Sequence, residues 1–100
     1  MRIIVSNLDR IIEICKLHKV SKLFVFGSVL SPNFSKNSDI DFLVSFENVS
    51  LADYADNYFQ LKSSFEKLFN RSIDLLEDSA LKNPYLRKSI DSEKKIIYGS

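Results

Sequence analysis

The chain has 100 residues, 45% of them hydrophobic, with 14 Lys+Arg against 13 Asp+Glu and a net charge of +1. This length supports one domain, 1–100, and the balanced charge offers no polycation for direct nucleic-acid binding. No apolar run approaches the roughly 20 residues a bilayer needs, residues 1–6 lack a secretory h-region, and the single cysteine suits a reducing, cytoplasmic setting.

The first expected element is a helix, because Leu8, Ile11, Ile12 and Cys15 recur at the spacing of one helix face. Ser6 or Asn7 is its expected N-cap, and Lys16, His18 and Lys19 place positive charge at its end, as the helix dipole favours. Lys22–Phe26 reads as a buried strand ended by Gly27, and 31–38 as loop. Asp39–Phe46 alternates strictly: Ile40, Phe42, Val44 and Phe46 fall on one face, and Asp39, Asp41 and Leu43 on the other. Residues 51–69 form a helix with Ser50 as cap and an apolar stripe running from Leu51 to Phe69. Ser72–Leu76 is a third strand, and Asn83 with Pro84 opens a short helix to Ile90. Residues 95–99 fit an edge strand or a packed tail equally. This order predicts an α/β fold, a small mixed sheet flanked by helices.

Three features carry chemistry. Gly27 ends a strand where backbone can approach a ligand closely, and Ser28 adds a hydroxyl and an amide at an expected helix start, where phosphate is favoured. Asp39 and Asp41, two apart on a strand, project to the same side at roughly 6.5–7 Å. Two such carboxylates repel, and a divalent cation between them removes the repulsion. Asp74 stands alone between Ile73 and Leu75, so an acid in an apolar strand needs a partner, a metal or solvent. A cluster of Asp39, Asp41 and Asp74 on adjacent strands answers all three.

Taken together, Gly27-Ser28, ten residues (29–38), Asp39-Ile40-Asp41 and a later Asp74 resemble the polymerase-β-like nucleotidyltransferase superfamily. The chain is similar to its minimal nucleotidyltransferases (MNT) over nearly its whole length, including 81–90 and Ile97-Tyr98. The resemblance implies that Gly27 and Ser28 hold a nucleotide triphosphate, and that Asp39, Asp41 and Asp74 bind two Mg²⁺ ions. Asp74 would also help take the proton from an attacking hydroxyl. Val29 and Leu30 stand where many relatives carry a basic residue after Gly-Ser, and Lys36 is the nearest candidate for that phosphate contact. The resemblance further implies AMP transfer from ATP to a tyrosine on a small all-helical HEPN ribonuclease toxin, for which the chain would be the antitoxin. A non-catalytic toxin-binding module and transfer to a small-molecule hydroxyl are the alternatives.

Other residues point to packing. Cys15 and His18 lack the further Cys or His that a zinc site needs. Tyr54, Tyr58, Phe59 and Phe65 read as core, and Glu77 and Asp78 as loop or cap residues. The basic residues Lys82, Arg87, Lys88, Lys94 and Lys95 read as a solvated face or a partner-facing patch.

Overall fold

A computed structural model describes residues 1–99. Its elements are α1 (Arg2–Val5), α2 (Leu8–Leu17), β1 (Val20–Phe26), β2 (Ile40–Phe46), α3 (Leu51–Phe69), β3 (Ile73–Glu77), α4 (Pro84–Glu93) and β4 (Lys95–Tyr98). The sheet order is β3-β2-β1-β4. The β2–β3 pair is parallel, so α3 serves as the crossover between them, while β1 pairs antiparallel with both β2 and β4. The expected mixed sheet is therefore present, and residues 95–98 are its edge strand.

Two cores stack on the two faces of this sheet. The larger lies under α2 and α3, where Ile11, Cys15, Leu23, Val25, Ile40, Phe42, Leu61, Phe65 and Leu75 are buried. Phe42 stacks on Phe65 at 4.8 Å between ring centroids. The smaller core joins Phe26 and Leu43 to Ile90 of α4. Strict alternation in β2 led us to expect Leu43 on an open face, but it is fully buried. The reason is α4, which folds back over that face and converts its middle into core.

The helix ends repay inspection. Ser50 caps α3 by accepting from the Asp53 amide, and α3 stops at Asn70, whose φ of 52° is the left-handed conformation that terminates helices. Asn83 accepts from the Tyr85 and Leu86 amides and Pro84 opens α4, both as the sequence implies. At α2 the expectation fails. Asn7 holds the cap position, but its amide donates to Ile3 O (2.8 Å), and Ser6 Oγ donates to Arg2 O (2.8 Å). Both side chains are used to close α1, a one-turn helix too short to leave a periodic signal.

The stripe on α3 is also narrower than periodicity suggests. Leu61, Phe65 and Phe69 are buried, whereas Leu51 is 93% and Phe59 62% exposed. The sheet-facing side of the first turns is instead occupied by Tyr54, edge-on to Phe46 at 5.5 Å, and Phe59 rests edge-on against Tyr58 at 5.1 Å instead of entering the core.

Candidate active site

β1 ends at Phe26 in extended backbone, and Gly27 then reverses the chain with a φ of +76°. A single 3₁₀ turn, Gly27–Leu30, follows. The expected helix start is thus only one tight turn, with little dipole to offer an anion. Glycine is required twice over here. Its φ is left-handed, and a Cβ on it would sit 2.2 Å from Asp41 Oδ2. The first amide of the turn meets a carboxylate: Gly27 N–H donates to Glu93 Oε1 at 3.1 Å. Ser28 Oγ makes a long contact, 3.3 Å, to the Asp39 carbonyl.

Sheet register assembles the acids. Asp41 lies opposite Phe26 on β1 and opposite Asp74 on β3. Directly opposed residues of neighbouring strands lie about 5 Å apart and point to the same face. Asp39 precedes β2 by one residue, two positions before Asp41, and so projects to that face as well. Asp39 and Asp74 are exposed and Asp41 is half-buried. Burial foremost, then the charges of Asp74, Asp39 and Glu93, pushes the Asp41 carboxyl up to about 6, against the nearby Ser28 backbone amide, which favours the charged form.

The donor set is all carboxylate oxygen, which suits a hard divalent cation such as Mg²⁺. The absence of a Cβ at Gly27 leaves Asp41 the space to turn toward such an ion. In this arrangement the oxygens stand apart; among the described residues no three His, Cys, Asp or Glu side chains converge on one point.

Lys36 is exposed in the loop before β2 and borders a cavity of about 550 Å³ with Met1, Arg2, Phe34 and Arg71. Arg71 lies over the Phe34 ring at 4.6 Å and donates to the carbonyls of Ser35 (3.0 Å) and Ser38 (2.9 Å). It therefore fixes the loop that leads into Asp39. Sequence reading passed over both Arg71 and Glu93. Neither carries a local signal, because each acts on a segment far away in the chain.

The remaining singled-out residues are structural. Cys15 is fully buried and burial pushes its thiol up to about 12, leaving it unreactive near neutrality. His18 ends α2 nearly buried, with its Nδ1–H donated to Ile14 O at 2.8 Å. Glu77 is not loop but the last residue of β3, accepting from the Tyr54 hydroxyl. The basic stretch is partly neutralised within the fold. Arg87 pairs with Asp78 at 2.9 Å, Lys94 with Asp91 at 2.7 Å, and Lys82, Lys88 and Lys95 are exposed.

Comparison with known proteins gives this geometry a family. The sequence model described as polymerase beta, nucleotidyltransferase matches residues 9–100. A Methanocaldococcus jannaschii protein named as a candidate protein adenylyltransferase is 31% identical over 93% of this chain and 98% of its own length. A second protein of that organism, named likewise, is 37% identical over 81% of this chain and 78% of its own. Among solved structures, a minimal nucleotidyltransferase superposes with a TM-score of 0.75 at 26% identity, covering 92% of this chain and 90% of that one. A Shewanella oneidensis complex of a tri-AMPylated HEPN toxin with its MNT antitoxin gives a TM-score of 0.65 at 18% identity, over 95% and 71% of the two chains. That lower likeness speaks to fold. The chain thus belongs to the polymerase-β nucleotidyltransferase family and is built like its minimal members.

Proposed function

We propose that this domain, 1–100, is a Mg²⁺-dependent nucleotidyltransferase that moves AMP from ATP to a tyrosine hydroxyl of a HEPN-type ribonuclease toxin. The observation that carries the reading is the shared face of Asp39, Asp41 and Asp74 beside the Gly27–Ser28 turn. The relatives' naming as candidate protein adenylyltransferases, and the AMPylated toxin bound to an MNT antitoxin, supply the acceptor class. No described helix is long and apolar enough to cross a membrane, which is compatible with meeting such a partner in the cytoplasm.

In this reading Asp39, Asp41 and Asp74 would hold two Mg²⁺ ions, which would supply charge neutralisation on the attacking and leaving oxygens. Ser28 and the amides after it orient the triphosphate, with Lys36, in the loop before β2, as the candidate cation to meet it. The tyrosine oxygen forms a bond to the α-phosphorus as the bond to pyrophosphate breaks, in line. The tyrosine proton passes to Asp74, which is exposed and so open to an incoming acceptor.

The test is incubation with labelled ATP, Mg²⁺ and a HEPN-type toxin protein from the same organism, followed by intact mass. Whole AMP units appearing on the partner, and lost when Asp41 is changed to Asn, are the expected result. An unmodified partner with active protein and saturating Mg²⁺ would sink the assignment.

A further inference from the structure

We propose that Glu93 is a positioning residue of this site, whose carboxylate fixes the Gly27–Ser28 turn from α4 and thereby sets the orientation of Asp41. The inference rests on the nucleotidyltransferase reading above. Its root is one contact: Gly27 N–H donates to Glu93 Oε1 at 3.1 Å across 66 positions of sequence.

The contact is built in from both sides. Glu93 is the last residue of α4, and Ile90, one turn earlier, is buried against Phe26 and Leu43. Immediately after it, Lys94 Nζ bonds Asp91 at 2.7 Å and lies 4.5 Å above the Phe24 ring. Lys95 then pairs with Val25 as β4 begins. The carboxylate is therefore held over the turn by anchored neighbours on either flank.

Its effect passes through the glycine itself. Gly27 lies so close to Asp41 that a Cβ on it would sit 2.2 Å from Oδ2, so the place of this backbone sets the space the carboxylate can occupy. Glu93 holds that backbone by accepting from its amide at 3.1 Å. Releasing the bond frees the glycine, which has the widest conformational range of any residue, and with it the wall against which Asp41 rests.

The experiment compares Glu93→Ala with Glu93→Gln, whose side-chain oxygen can accept the same bond. Glu93→Ala should lower kcat for AMP transfer about tenfold to hundredfold, as loss of an outer-shell contact does, with the KM for ATP changed little. Glu93→Gln should restore most of that activity. A second readout does not depend on activity. The chain has only two glycines, so the Gly27 amide resonance is readily assigned in a nitrogen-15 spectrum. It should shift upfield in Glu93→Ala and stay near its native position in Glu93→Gln. An unmoved Gly27 resonance in folded Glu93→Ala overturns the proposal, as does native kcat in that variant. Equal impairment of both variants overturns it too, since it would assign the role to charge. If the native protein transfers no AMP at all, the functional reading falls, and the resonance alone decides whether Glu93 holds the turn.

Discussion

Substituting Gly27 by Ala tests the link between the glycine turn and the acidic face, because it acts on both the backbone and Asp41. At a φ of +76° an L-residue pays roughly 1–2 kcal/mol of backbone strain. The new Cβ would also lie 2.2 Å from Asp41 Oδ2, so the carboxylate must retreat by about 1 Å to reach ordinary contact. Because that oxygen is the tip of a side chain, the retreat itself costs little stability. Its effect on rate is larger, since a misplacement of about 1 Å at a reacting centre costs about 100-fold. We therefore expect Gly27→Ala to lower Tm by about 5–15 °C and to cut AMP transfer about 100-fold. A stability cycle with Asp41→Ala isolates the clash: with no carboxylate to displace, only the backbone strain remains. Wild-type transfer by Gly27→Ala would falsify the claim that this turn sets the position of Asp41.

Further outcomes follow from the structure. Asp41→Asn should abolish transfer while stabilising the metal-free protein, because it removes a half-buried charge that Asp74, Asp39 and Glu93 all oppose. The same group predicts a pH dependence: its folded value of about 6 exceeds the ordinary 3.8, so the folded state binds the proton more tightly. That stability is fully present below about pH 4 and is lost as pH rises through about 6; urea melts should show the slope in the native protein and a weaker one in Asp41→Asn. Ser28→Val should raise the KM for ATP and lower kcat, and Lys36→Ala should cost about 1–3 kcal/mol in kcat/KM; unchanged steady-state kinetics would remove either residue from phosphate binding. Arg87→Glu should lower thermal stability by breaking its bonds to Asp78, whereas Lys88→Glu should leave Tm unchanged and slow partner association at low salt if that face docks an acidic surface.

What was legible in the sequence was whatever repeats at short range. Alternation in 40–46 and the 3.6-residue stripe in 61–69 reported their buried faces correctly, because each is set by neighbours in the chain. The acids could be paired across strands for the same reason, since an Asp in an apolar strand is conspicuous. Contacts made by folding back were invisible. Leu43 looks like an outward residue until Ile90 arrives over it, and Glu93 looks like one more surface acid until α4 brings it to Gly27. Arg87 likewise reads as free positive charge, although the 3₁₀ turn at Asp78–Ala80 curls back to receive it. Cap residues sat between these limits. Ser50 and Asn83 obeyed the local rule, and Asn7 did not, because a preceding helical turn claimed its side chain first.

The parallel pairing of β2 and β3 also has a kinetic meaning. β1 and β2 can meet through a modest loop, but Asp74 reaches Asp41 only after residues 47–72 have folded into the α3 crossover. Closing so long a segment is slow compared with forming a hairpin or a helix. The hairpin of β1 and β2 can therefore exist, with Asp39 and Asp41 in place, well before the third carboxylate arrives. In a refolding experiment, helix content and hairpin order should recover ahead of cation-dependent nucleotide binding. The gap between the two recoveries would time the crossover directly.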